Sequence, residues 1–295
     1  MLFLKPDKFS DYQLIDSGNY KKLEKFGSII LSRPEPQAVW DTSLSEEEWK
    51  RLAGATFKKE AGNPEKGEWI VKKGTKEQWF VGYESGPLKL NFRLGLTSFK
   101  HVGIFPEQAA NWEYIYDKVI KLKQQTATPK VLNLFAYTGG ASLAAKAAGA
   151  DVSHVDSVKQ VINWSRENME ASKLQDIRWV VEDAMKFVQR EVRRGNKYQG
   201  ILLDPPAYGR GPNGEKWIIE EQLNEILKAC RELLDKENHF FILNLYSIGF
   251  SALIVETLLK SVFGEVQHLE TGELYLADQA GKKLPLSIFG RFSSL

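Results

Sequence analysis

Between about residue 126 and residue 262 the chain alternates short apolar runs with longer runs of helical spacing, and this alternation constrains the fold more than any other feature. The strand-like runs are Val131–Phe135, Val152–Val155, Ile177–Val181, Gly200–Leu203 and Phe240–Leu245. The helical ones are Ala141–Ala148, Ser157–Ser172, Ala184–Arg194, Ile218–Leu234 and Ala252–Val262. Such a pattern predicts an α/β fold: a mostly parallel sheet covered by helices on both faces. The ending departs from it. Val266–Leu269, Glu273–Ala277 and Leu284–Phe289 are strand-like, and the last two are joined only by Gln279–Lys283. A C-terminal hairpin there adds an antiparallel strand to the sheet, which an ordinary NAD-binding domain is not expected to do.

The first hundred residues carry a different pattern. Tyr12–Ile15, Ser28–Leu31, Glu68–Val71 and Gln78–Gly82 read as strands, the last two as arms of a hairpin around Lys-Lys-Gly-Thr. A short helix is expected from Ser45, where Ser-Glu-Glu-Glu supplies an N-cap and an acidic first turn. Pro106–Lys123 has helical spacing, with Trp112, Ile115, Tyr116, Val119, Ile120 and Leu122 on a broad face. The expected division is a β-rich domain over 1–100, a connecting segment and helix over 101–125, and the α/β domain over 126–295. A length of 295 residues suits two domains.

Hydrophobic residues at 43% and charged residues at 26% exclude disordered, collagen-like and coiled-coil chains. Forty Lys+Arg against 38 Asp+Glu give a formal charge of +2, so no global basic field marks a nucleic-acid binder, although a local basic surface remains open. The single cysteine, Cys230, excludes an intramolecular disulfide and fits a reducing compartment. Residues 1–30 hold no signal-like apolar run, and 18 consecutive apolar residues occur nowhere. The expectation is a soluble, cytoplasmic protein with no membrane partner.

In a doubly wound sheet ligands gather outside the carboxyl ends of the strands, so four strand ends matter. The first is Asn133-Leu-Phe135-Ala136-Tyr137-Thr138-Gly139-Gly140, where the glycines permit a tight turn and close approach of a ligand. It lacks the full Gly-x-Gly-x-x-Gly pattern of a dinucleotide cradle. The second ends in Asp156, followed by Ser157; a carboxylate there suits a ribose diol, or else caps the next helix. The third ends Glu182-Asp183-Ala184, with an adenine amino group and a helix cap as the two readings of Asp183. The fourth is Asp204-Pro205-Pro206-Ala207-Tyr208, in which two prolines remove donors and fix the exit path, exposing an Asp at the sheet edge.

Together these segments resemble the class I S-adenosylmethionine-dependent methyltransferases over about residues 100–295. The runs Val-Leu-Asn-Leu-Phe-Ala-Tyr-Thr-Gly-Gly, Val-Asp-Ser and Leu-Leu-Asp-Pro-Pro are similar to the bacterial large-subunit rRNA methyltransferase group that includes cytosine-C5 and guanine-N7 enzymes. That group also carries a β-rich N-terminal region. The resemblance implies S-adenosylmethionine (SAM) as cofactor, the Phe135–Gly140 turn beneath its methionine part, Asp156 on the ribose, Asp183 approaching adenine and Asp204 near the methyl donor and acceptor. It further implies that Gly103-Ile-Phe105-Pro-Glu-Gln108 folds over the cofactor, making Phe105 and Gln108 contacts, while Pro106 and Glu107 equally suit a helix start. Methyl transfer from a sulfonium needs alignment and exclusion of water and no metal; His101, His154, His239 and His268 lack metal-ligand spacing.

One departure bears on the substrate. Cytosine-C5 transfer needs a covalent nucleophile, and alignment on Gly249 puts Ser247 where similar enzymes place cysteine. Cys230 lies in a helical run and is expected to pack. Direct attack by a nitrogen or oxygen of RNA, ribosomal RNA foremost, is therefore the favoured reaction, with Tyr208 able to stack on a base. Arg210, Lys216 and Trp217, and beside them Arg190, Arg193, Arg194 and Lys197, are expected to meet phosphate and base or simply to lie on solvated faces. The alternatives are a methyltransferase for a protein or small molecule, and a catalytically silent SAM/RNA-binding protein. The N-terminal module is open to service as an RNA platform, an oligomer contact or a cover for the cofactor.

Overall fold

The structure, a computed structural model, describes residues 1–6, 8–60, 63–245 and 249–295, without the side chains of 63–65. It divides into two compact units: Met1–Leu4 with Ala110–Leu274 and Ser287–Leu295, and Lys5–Ala109 with Tyr275–Leu286. After β1 (Leu2–Leu4), the second unit contains β2 (Tyr12–Gly18), β3 (Lys21–Phe26), β4 (Ile29–Pro34), α1 (Glu46–Leu52), β5 (Ala55–Glu60), β6 (Asn63–Val71), β7 (Gln78–Ser85) and β8 (Leu88–Gly95). Strands β2 to β6 form one sheet in chain order, and β7 and β8 pair separately. Helix α1 starts where the sequence indicates. Ser45 Oγ accepts from Glu48 N at 3.2 Å while the Glu48 carboxylate accepts from Ser45 N at 3.0 Å, so two donors of the first turn are satisfied reciprocally.

The expected hairpin of Glu68–Val71 with Gln78–Gly82 does not form. Strand β6 pairs with β5, and β7 pairs with β8, where buried Trp79, Val81 and Tyr83 stand opposite Leu94, Phe92 and Leu90. These apolar cross-strand pairs outweigh the turn signal of Lys-Lys-Gly-Thr. Inside this unit lies a buried ionic cluster. Arg33 Nε donates to Glu24 at 2.8 Å, Tyr12 Oη donates to Glu24 at 2.9 Å, and Lys22 reaches Glu35 at 3.2 Å. Glu107 adds a third carboxyl with one buried oxygen lacking a partner, and burial pushes it up to about 7.

The first unit contains α2 (Ala109–Leu122), β9 (Lys130–Leu134), α3 (Gly140–Ala147), β10 (Asp151–Asp156), α4 (Lys159–Ala171), β11 (Ile177–Val181), α5 (Ala184–Arg193), β12 (Gly200–Leu203), β13 (Tyr208–Arg210), β14 (Lys216–Ile218), α6 (Ile219–Leu233), β15 (Phe240–Leu245), α7 (Ala252–Phe263), β16 (Glu270–Ala277) and β17 (Lys283–Ser293). Ala109 and the tip of the last hairpin count with the other unit. The sheet order is β1-β16-β17-β15-β12-β9-β10-β11. The five consecutive strands β15, β12, β9, β10 and β11 are parallel, and β17 runs antiparallel to β15 from Phe240↔Ser293 to Leu245↔Ile288. Leu132, Leu134, Ile201, Leu203, Phe241 and Leu243 of the sheet share a core with Phe187, Leu223, Leu227, Val255 and Leu259 of the helices.

The segment before the sheet divides into a 3₁₀ turn at Pro106–Gln108 and then α2, with Trp112, Ile115, Val119 and Leu122 buried and Ile120 exposed. Residues 266–269 are not a strand. Gly264 and His268 both take positive φ, at 79° and 49°, and the outer side of β16 is already occupied by β1, paired Leu2↔Gly272 to Leu4↔Leu274. No described helix is long and apolar enough to cross a membrane.

Candidate active site

The strand order reverses at β9, whose neighbours are β10 and β12, so a cleft is expected outside the carboxyl ends of these strands. The turn leaving β9 is contorted backbone. Phe135, Tyr137 and Gly139 have φ of 54°, 47° and 94°. Two of the three are not glycine, and such conformations cost on the order of 1–3 kcal/mol each unless the surroundings impose them. The surroundings are visible. Ser165 Oγ donates to Tyr137 O at 2.7 Å, Asn168 Nδ2 donates to Thr138 O at 2.9 Å, and Tyr137 N donates to Asp156 Oδ2 at 3.0 Å. Ser165 also lies 3.4 Å from His154 Nε2, and His154 Nδ1 lies 3.0 Å from Ser142 Oγ, which accepts from Asn133 Nδ2 at 2.9 Å.

His154 is fully buried and burial depresses it to about 3, so the imidazole is neutral at physiological pH. Its place is structural: with Asn133, Ser142, Ser165 and Asn168 it clamps the turn from within. The sequence offered no signal for this set beyond polar residues at core positions of β9, β10, α3 and α4. Helix α3 begins at Gly140 with left-handed Gly139 as N-cap and no side-chain cap.

Asp156 ends β10. Its oxygens accept from the backbone N–H groups of Val158 at 2.9 Å and Tyr137 at 3.0 Å, with Ser157 N a third donor, and burial lifts the carboxyl to about 6. The N-cap of α4 is Val158, not Asp156 or Ser157. The capping alternative does hold for Asp183, whose Oδ1 accepts from Lys186 N at 3.0 Å at the N-cap of α5, immediately before buried Ala184.

Asp204 follows β12, half-buried, with Pro205 buried and Pro206 exposed. Burial raises its carboxyl to about 6, opposed by a hydrogen bond from Asn244 Nδ2 at 2.8 Å. Tyr208–Arg210 and Lys216–Ile218 pair as a short antiparallel hairpin. Trp217 is 2% exposed, too buried to meet a base as expected. It packs 4.7 Å from the Phe135 ring, and its Nε1 donates to Pro206 O at 2.7 Å, tying the Asp-Pro-Pro loop to the turn after β9. Tyr208 is 53% exposed, with Arg210 Nε donating to its hydroxyl. Two cations of the expected basic patch are paired internally, Arg190 with Glu182 and Arg194 with Glu191, and Lys186 beside them pairs with Glu215 in the hairpin turn.

The fold matches that of known proteins. Residues 63–275 match the family model of the S-adenosylmethionine-dependent methyltransferases. This chain belongs to that family. It is 38% identical to a SAM-dependent methyltransferase of Agrobacterium tumefaciens, whose crystal structure superposes with a TM-score of 0.90 over 100% of this chain and 94% of that one. SMU.776, solved in complex with SAH, shares the fold at a TM-score of 0.72 and 17% identity, over 97% of this chain and 76% of that one. The ribosomal RNA large subunit methyltransferase K/L of Shewanella frigidimarina is 28% identical over 157 residues, 52% of this chain. The ribosomal RNA large subunit methyltransferase I of Escherichia coli is 28% identical over 122 residues, 40% of this chain. These matches span only 21% and 28% of the length of the two relatives.

The family's cofactor is SAM, and the residues present fit it. The Asp156 carboxylate is an acceptor at the end of β10 suited to a ribose hydroxyl, and no side chain caps the first turn of α3. Asp183 has one oxygen committed to its helix. Phe105 and Gln108 belong to the other unit, where Phe105 packs 5.0 Å from the His101 ring and Gln108 N donates to Phe105 O. Ser247 lies outside the described residues.

Proposed function

We propose that this chain transfers a methyl group from SAM to RNA, ribosomal RNA foremost, by direct attack of an acceptor nitrogen or oxygen. The observation that carries the reading is the placement of Asp204. A half-buried carboxylate, held below its full burial-driven pKa only by Asn244, stands at the β12 end with the exposed aromatic Tyr208 four residues on. A carboxylate able to take up a proton and an aromatic face able to stack on a base together suit a nucleobase acceptor. The relatives named as rRNA methyltransferases support the same substrate.

In this reading Asp156 holds the ribose hydroxyls, Asn133 through Gly140 shape the floor under the methionine part, and Asp183, Ala184 and Ser157 border the adenosine. Phe105 and Gln108 enter as cofactor contacts by resemblance. Asp204, Pro205, Pro206 and Tyr208 form the acceptor side. When bound, SAM supplies an electrophilic methyl group, so the protein's task is to orient the acceptor and receive its proton. A cysteine mechanism finds no support in Cys230: the thiol is fully buried in α6, and burial pushes its pKa far up.

Methyl-labelled SAM incubated with total RNA from a host strain lacking the gene tests this directly. Label released by nuclease and not by protease is the expected result; label in protein alone, or in neither, overturns the RNA substrate. For the cofactor side, Asp156→Ala removes both ribose acceptors and the anchor of Tyr137 N. The SAM Kd measured by calorimetry is expected to rise at least about tenfold, the equivalent of one charge-assisted hydrogen bond. Unchanged affinity in a folded variant removes Asp156 from the site.

A further inference from the structure

Asn244 was singled out by no motif, yet it stands on β15 beside the carboxylate proposed for the acceptor side. The parallel register pairs Leu203 of β12 with Leu243 of β15, so the next residue of each strand, Asp204 and Asn244, emerge side by side. Asn244 is buried, its Nδ2 donates to Asp204 Oδ1 at 2.8 Å, and its own Oδ1 is buried with no hydrogen-bond partner among the described residues. An orphaned buried carbonyl costs on the order of 1–3 kcal/mol. A buried strand position therefore carries an amide at a loss in stability, and what the amide does touch is the carboxylate that follows β12. The other oxygen of Asp204 takes no hydrogen bond among the described residues.

We propose that Asn244 is a positioning residue for methyl transfer: its amide fixes one oxygen of Asp204 and leaves the other to take the proton that an N–H acceptor gives up. The inference rests on the function proposed above and narrows its acceptor to a nitrogen that carries hydrogen. In the step, the nitrogen lone pair forms the N–C bond to the methyl carbon. The C–S bond breaks with its electron pair left on sulfur, and the proton released from the now cationic nitrogen passes to Asp204. Burial and the Asn244 amide are the influences acting on Asp204; among the described residues no charged side chain of the neighbouring strand ends or of the β13–β14 hairpin contributes. Donation to the ionised carboxylate favours that form, so Asn244 keeps Asp204 ready to accept a proton at neutral pH despite its burial.

The experiment titrates Asp204 by carbon NMR in cofactor-free protein carrying ¹³C-labelled aspartate, with Asp204→Asn to assign the signal. Wild type is compared with Asn244→Leu, which keeps the volume, and with Asn244→Asp, which keeps the shape and places a second carboxyl beside the first. The same proteins are then followed for kcat against pH on the RNA methylated by wild type. The Asp204 midpoint is expected to rise by about one pH unit or more in Asn244→Leu and further in Asn244→Asp. The acidic limb of kcat is expected to move by the same amount, about fivefold in rate at pH 6 and about tenfold well below it, with the KM for SAM unchanged. A midpoint that stays in place in a folded variant overturns the positioning role. A midpoint that moves while the kcat limb does not overturns the proton acceptance. Failure of the RNA reading is separate: wild type then labels no RNA, and the NMR midpoint still decides whether Asn244 sets Asp204.

Discussion

Asp204→Asn is expected to lower kcat by about 10²–10⁴-fold, the usual worth of a positioned proton acceptor, while the SAM Kd changes by less than about threefold. The substitution is nearly isosteric, so the Pro205-Pro206 turn and its bond to Trp217 are kept. What is lost is the carboxylate, and with it the site for the acceptor's proton. The wild-type rate has a matching pH signature. Asp204 must be ionised to act, and its carboxyl has been raised to about 6 by burial. Turnover is therefore expected to fall about tenfold per pH unit below that value. The variant should lack that limb. Single-turnover rates on the labelled RNA, with SAM affinity measured in parallel, check both statements; a variant that turns over at the wild-type rate removes Asp204 from the chemistry.

Arg33→Ala is expected to destabilise the second unit by about 3–5 kcal/mol, the range for removing one partner of a buried ion pair. Glu24 is fully buried, and Arg33 gives it two donors from one guanidinium. Without Arg33, Glu24 keeps Tyr12 and a Lys22 ammonium 3.7 Å away that is itself drawn to Glu35. Urea unfolding read by tryptophan fluorescence measures the loss. Replacing both partners with apolar residues, Glu24→Leu with Arg33→Met, should recover much of it, because no buried charge is then stranded.

The same cluster is expected to make stability fall with rising pH. Glu107 is a third carboxyl against two cations, and its folded pKa of about 7 lies above its ordinary value. A carboxyl raised in this way contributes stability in full below the ordinary carboxylate range, and loses it as pH climbs through about 7. The unfolding midpoint should therefore drop between pH 5 and pH 8, and Glu107→Gln should flatten that slope.

The parallel core was legible because its signals are local. Apolar runs broken by helical spacing mark β9 through α7, and a glycine pair or a proline pair at a strand end marks a turn whatever the rest of the chain does. The Ser45 cap of α1 was legible for the same reason, since both members of its capping box lie within three residues. The hairpin expected around Lys-Lys-Gly-Thr failed because pairing in antiparallel sheets is settled by which buried side chains meet across strands. Trp79, Val81 and Tyr83 find theirs on β8.

By itself, then, the sequence determined the sheet, the strand ends that carry Asp156, Asp183 and Asp204, and the turn over Phe135–Gly140. Only the tertiary structure decided what stands beside them. Trp217 left its charged loop to lie against Phe135, and Ser165 and Asn168 came from α4 to hold the carbonyls of Tyr137 and Thr138. Asn244 met Asp204 across 40 residues of chain because the β12–β15 register put them level. Local propensity acts over a few residues. The partners of a buried polar group are chosen by strand register and helix packing, which bring together positions that carry no mark of one another in sequence.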